Sequence, residues 1–104
     1  MNNKKYYIKY LPLFYKDLNK ITKYINHKLN NRIAADNLIS EVKQKIEKRA
    51  YNPISYEKYS SSTKRKNIYY KLYIKNYIVF YIVKDNIMEI RRILYNKRNF
   101  DKLI

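Results

Sequence analysis

Seven consecutive residues, Tyr77-Ile78-Val79-Phe80-Tyr81-Ile82-Val83, are apolar or aromatic at every position. Side chains along a strand point alternately to the two faces of its sheet, so a run that is apolar on both parities needs cover on both faces. This stretch is therefore expected to be a central strand, with partner strands at its sides and packing above and below.

The flanking text supplies those partners. Ile68, Tyr70, Leu72 and Ile74 alternate with Tyr69, Lys71, Tyr73 and Lys75, the pattern of a strand with one wet face. Asn76 makes the turn into the central strand, Lys84-Asp85-Asn86 the turn out of it, and Ile87–Leu94 a third strand. Upstream, Lys5–Tyr10 alternates and is rich in tyrosine, a further strand. Pro12 is well placed at a helix start, where its missing N–H costs nothing. Phe14, Leu18, Ile21, Ile25 and Leu29 then recur at spacings of three and four, one face of a helix that Asn30-Asn31 breaks. A second helical pattern follows in Ala35, Leu38, Ile39, Val42 and Ile46, with Glu41, Lys45 and Lys48 on its polar side and Pro53 after its end. Residues 54–66, polar with Ser60-Ser61-Ser62-Thr63 at the centre, read as a loop, and 99–104 as one helical turn. The order strand, helical hairpin, three-stranded antiparallel meander predicts an α+β fold, with the helices on one face of the sheet. At 104 residues the chain is expected to form one domain over 1–104.

Composition excludes several function classes. Without glycine there is no phosphate-cradling loop for a nucleotide cofactor. Without cysteine there is no disulfide or thiolate metal site, and His27 alone cannot build a zinc site. No carboxylate cluster suggests a metal either, so neither cofactor nor metal is expected. Met1–Tyr10 has no apolar core of a signal peptide and no run is long enough to span a bilayer, so a cytoplasmic protein is expected. The formal net charge of +16 works against compaction and calls for an acidic partner: nucleic acid, an anionic surface or an acidic protein. Part of the Lys, Asn, Ile and Tyr excess reads as AT-rich codon bias, so positions carry more weight than counts.

In order and length these elements resemble the RelE/ParE superfamily, toxins of type II toxin–antitoxin systems. Asn76–Val83 resembles the family's N-Y-hydrophobic-hydrophobic-F/Y-Y central strand, and Ile90–Arg98 the closing I-x-R-I-L-H-x-R-R strand of the ParE-like branch. Leu11-Pro12 with Phe14-Tyr15-Lys16-Asp17-Leu18 resembles the opening of its first helix. The resemblance implies a cognate acidic antitoxin, a hetero-oligomer with it, and one of two targets. ParE-like toxins inhibit DNA gyrase; RelE-like ones cut mRNA on the ribosome. Cutting requires a base for the 2′-OH, cations at the phosphorane and an acid for the leaving oxygen. On the nuclease pattern Lys71 and Arg98 match, and Tyr95 stands where ParE-like relatives often carry His. Ile78 replaces a phosphate-clamping arginine, and Ile104 falls near the nuclease's C-terminal tyrosine. These departures favour the gyrase reading over an mRNA endoribonuclease, with a non-catalytic nucleic-acid-binding protein as a third reading.

Further target-binding candidates are Lys97 and Arg98 at the rim and Lys64-Arg65-Lys66 in the loop. Arg91 and Arg92, as neighbours on a strand, are expected to point to opposite faces. One would then face the target, and the other would snorkel from beneath the helices or pair with Glu41 or Glu47. The sheet tyrosines could stack on bases, although half-buried strand positions also suit tyrosine.

Overall fold

The structure, a computed structural model, describes residues 4–56, 58, 59, 67–97 and 100–104. Strand β1 spans Tyr7–Tyr10, helix α1 Pro12–Lys23, helix α2 Arg32–Arg49, and strands β2, β3 and β4 span Tyr70–Ile74, Tyr77–Lys84 and Ile87–Tyr95. A short 3-10 turn covers Phe100–Lys102, within the tail where a helical turn is expected. The sheet order is β1-β4-β3-β2. β3 is antiparallel to both neighbours, and β1 runs parallel to β4, pairing Tyr7 with Ile87 and Tyr10 with Ile90.

The helical hairpin forms where the apolar spacing places it. Pro12 begins α1, and Asn31 begins α2, its Oδ1 accepting from the Ala34 N–H at 3.0 Å. Asn30 takes a left-handed φ of 49°, which asparagine tolerates better than most residues. Between the helices, Tyr24–Lys28 forms a π-helical turn, a feature that the spacing does not announce. It ends the buried stripe early: Ile21 and Ile25 pack on the core, whereas Leu29 is exposed.

β3 is covered on both faces. On the helix side Val79 and Tyr81 pack with Phe14, Leu38, Val42, Ile46, Met88 and Ile93. On the other side Ile78, Phe80 and Ile82 form a second cluster with Tyr69 and Leu94, capped by Tyr59, Phe100, Leu103 and Ile104. The second cluster is why Tyr69, expected on the wet side of the strand, is buried just ahead of β2.

Arg49, in the last turn of α2, joins the hairpin to the sheet. Its guanidinium donates to the Lys71 carbonyl and the Tyr81 hydroxyl, both at 3.0 Å, and lies 3.5 Å from the Tyr56 ring centre. The Tyr81 hydroxyl in turn donates to the Pro53 carbonyl at 2.7 Å, so the buried phenol is satisfied. Of the expected loop, residues 57 and 60–66 lie outside the described residues. Lys58 bridges to Tyr70, and the Tyr59 N–H donates to the Tyr69 carbonyl at 2.7 Å.

The β3–β4 register corrects the reading of the arginine pair. Phe80 pairs with Arg92 but Tyr81 with Ile90, so Arg91 is the extra residue of a β-bulge. Arg91 keeps the parity of Glu89, and the bulge brings Arg92 to the parity of Phe80. Both arginines therefore leave on the face away from the helices. Among the described residues no helix is long and apolar enough to cross a membrane.

Candidate functional site

Arg92 bends around the edge of β4 to α1. β1 pairs with β4 only as far as Ile90, which leaves the backbone beyond open to the helix that follows. There Asp17 accepts from Arg92 Nε at 2.6 Å, from Arg92 Nη2 at 2.9 Å and from the Ile93 N–H at 3.2 Å. Arg92 Nη1 also donates to the Leu103 carbonyl. Both side chains are nearly buried, 14% and 10% exposed. The expected carboxylate partner of an arginine thus exists, but it is Asp17 rather than Glu41 or Glu47. Position 17 lies on the apolar stripe, three after Phe14 and four before Ile21, and that placement is the sequence signal for a buried acid. Glu41 instead holds Lys45 at 3.4 Å and Lys75 at 3.6 Å, and Glu47 holds Lys5.

Arg91 pairs with Glu89 at 2.7 Å and lies 5.7 Å from the Tyr69 ring centre. Neither arginine has the free outward guanidinium expected of a target contact.

Of the nuclease candidates, Lys71 and Tyr95 are not brought together. Lys71 pairs in register with Phe80, which puts it on the face away from the helices, where its Nζ lies 5.5 Å from the Tyr73 ring centre. Ile78, on the same face, is 3% exposed and sealed in the second apolar cluster. Tyr95 pairs with Tyr77, one step along from the Ile78–Leu94 pair, and so sits on the helix face. Ile104 packs against the second cluster. Lys97 is exposed just beyond β4; Arg98, Lys64, Arg65 and Lys66 lie outside the described residues. His27 is exposed on the π-helical turn. Among the described residues no group of His, Asp and Glu is placed to hold a metal ion.

The helix side carries concave surfaces that the sequence-predicted residues alone do not account for. One, of about 350 Å³, runs between α1 and α2 and is lined by Tyr10, Phe14, Tyr15, Leu18, Ile39, Val42, Lys43 and Glu47. Tyr15 and Ile39 at this surface are 51% and 43% exposed, large apolar side chains open to a partner. Another, of about 480 Å³, lies at the far end of the sheet and is lined by Lys20, Ile21, Tyr24, Tyr77 and Tyr95. Tyr77 and Tyr95 meet edge to face at 6.0 Å. Burial pushes the Tyr77 hydroxyl pKa up, and the neighbouring Tyr95 and Tyr24 add to the effect. Sequence reasoning missed Lys20 and Tyr24. Their signal was the i, i+4 spacing of Lys16, Lys20 and Tyr24 on the wet side of one helix.

The chain matches the family model described as ParE toxin of type II toxin-antitoxin system, parDE, over residues 8–100. Among solved structures it resembles a chain of the chromosomal ParDE toxin–antitoxin system from P. aeruginosa, with a TM-score of 0.71 and 14% sequence identity over 88% of this chain and 96% of that one. No curated protein matches it in sequence. At that identity the structural likeness speaks to the fold, while the match over nearly the whole length speaks to descent. This chain belongs to the ParE toxin family of type II toxin–antitoxin systems.

Proposed function

We propose that this toxin arrests growth by inhibiting DNA gyrase in the cytoplasm, and that an acidic antitoxin neutralises it. The observation that carries the choice of target is the separation of Lys71 from Tyr95 onto opposite faces of the sheet, with Ile78 buried between apolar neighbours. Strand scission needs a base, an acid and cations converging on one phosphate. A gyrase inhibitor needs only a complementary surface. The exposed Lys97 and its neighbour Arg98 are the proposed target-facing rim. The apolar surface between α1 and α2 is the proposed seat for the antitoxin's amphipathic segment, whose acidic residues would answer the charge of +16.

The test is induction of the chain in cells, followed by primer extension on mRNA and a gyrase supercoiling assay with purified protein. Intact ribosome-bound messages with blocked supercoiling are expected, and Lys97→Ala with Arg98→Ala should relieve the block without changing the melting temperature. Discrete cuts at the ribosomal A site with supercoiling unaffected would assign the toxin to the nuclease branch.

A further inference from the structure

The far-end groove has a composition that inhibition by protein contact does not require. Its floor is Tyr77, held edge to face against Tyr95, and its wall is Tyr24 with Ile21. Tyr24 and Tyr95 are 56% and 43% exposed, so two ring faces are open to a ligand. Tyr24 begins the π-helical turn, a distortion that is rare and tends to occur at functional sites. Burial and the adjacent phenols keep Tyr77 protonated and uncharged. The groove is therefore aromatic and neutral at its base.

Its approach is cationic. Lys16 and Lys20 stand two turns and one turn before Tyr24 on the same helix face, with Lys23 beside them, and all three are exposed. The only acid between Pro12 and Asn31 is Asp17, which is occupied by Arg92. Lys97 follows Tyr95 on the strand side and is exposed. Among the described residues no acid lines the groove. A row of cations leading to open aromatic rings is the pattern by which proteins hold single strands, phosphates on the lysines and bases on the rings.

We propose that the groove between Lys20, Tyr24 and Tyr95 binds single-stranded nucleic acid, one base stacking on the tyrosines while the adjoining phosphates follow Lys16, Lys20 and Lys23. The single strand is favoured over a duplex because stacking on a side chain needs a base face that its neighbours have released. The site borders the rim at Lys97, shares no lining residue with the antitoxin surface proposed above, and does not depend on gyrase being the target.

The experiment is fluorescence anisotropy of the full chain, freed from antitoxin, with labelled dT12, rU12 and a 12-base-pair duplex over a range of salt. Single strands are expected to bind more tightly than the duplex, and the dT12 and rU12 arms tell DNA from RNA. Tyr24→Ala and Tyr95→Ala should each weaken binding by about tenfold, while Tyr24→Phe and Tyr95→Phe, which keep the ring, should not. Changing Lys16, Lys20 and Lys23 to Gln should flatten the slope of log affinity against log salt by about 2, near 0.7 for each phosphate no longer neutralised. The same change at Lys45 and Lys48 on α2 should leave binding within about twofold, since rim charges there add only screened attraction. All four aromatic variants replace exposed side chains, and unchanged melting curves would show that they fold. Binding that ignores both alanine variants is general charge attraction and overturns the proposal. So does a failure to bind any oligonucleotide while Tyr24→Ala and Tyr95→Ala weaken antitoxin binding, which would make the groove a protein contact.

Discussion

Asp17 and Arg92 are each nearly buried, and each is tolerable only because of the other. Two charge-assisted bonds and the Ile93 N–H occupy the carboxylate, and the Leu103 carbonyl takes a further guanidinium proton. Breaking such a pair from one side leaves an uncompensated buried charge and costs about 3–5 kcal/mol, whereas replacing both partners by apolar residues is often neutral. Urea unfolding should therefore show Arg92→Met destabilised by that amount and Asp17→Leu similarly. The double variant should recover most of the loss. Arg92→Lys should behave like the methionine variant, because one ammonium cannot reproduce a two-nitrogen grip on a carboxylate. Single-variant losses under about 1 kcal/mol would mean that the pair is solvated and has no such role.

At the scale of elements, the absence of glycine leaves its mark on the turns. Lys75 takes a φ of 53° and Asp85 one of 55°, left-handed values at the β2–β3 and β3–β4 turns. Aspartate tolerates this region; for lysine it costs roughly 1–2 kcal/mol. Lys75→Asn should raise the melting temperature by a few degrees, the gain reduced slightly because the exposed ion pair with Glu41 goes with it. An unchanged or lower melting temperature would show that the turn is not strained. The strands and the helical hairpin were legible because period and breaker agree: alternation at Tyr70, Leu72 and Ile74, a double-parity run in β3, a three-and-four recurrence stopped by Asn30-Asn31. The bulge at Arg91 was not legible, because no local residue type demands it. It follows from fitting β4 to β3, a long-range condition, and it moved Arg92 to the other face. The dispersal of Lys71 and Tyr95 was likewise hidden, since their parity depends on register rather than on their own neighbours. The far-end groove needed the π-helical turn, which apolar spacing alone cannot distinguish from an ordinary last turn.

Across the whole molecule, the acids are largely spent internally: Asp17, Glu41, Glu47, Glu89 and Asp101 are each tied to a partner within the chain. The outer field is consequently mostly cationic, suited to fast capture by any acidic partner. The interior is tied instead by phenols. The Tyr10 pKa is pushed up to about 12, first by burial and then by Glu47 and Tyr15, and burial also raises Tyr77 and Tyr81. A raised folded-state value means that the unfolded chain gives up its proton first. The stability from these phenols is complete below about pH 10 and falls as pH rises toward 12. Thermal melts across that window should show a steep decline that Tyr10→Phe makes shallower; an identical decline in the variant would place the alkaline sensitivity elsewhere.

The parallel pairing of β1 with β4 also sets a timetable for synthesis. Tyr7 emerges first and must wait for Ile87, and Asp17 waits across 75 residues for Arg92. A nascent chain can close its helical hairpin early, because those contacts are local, but its first strand stays unpaired until the last has been made. The toxin therefore acquires its fold late, in nearly one step, and the α1–α2 surface is exposed on a growing chain before the sheet that completes the molecule exists. A partner that recognises the hairpin alone would have that interval in which to arrive.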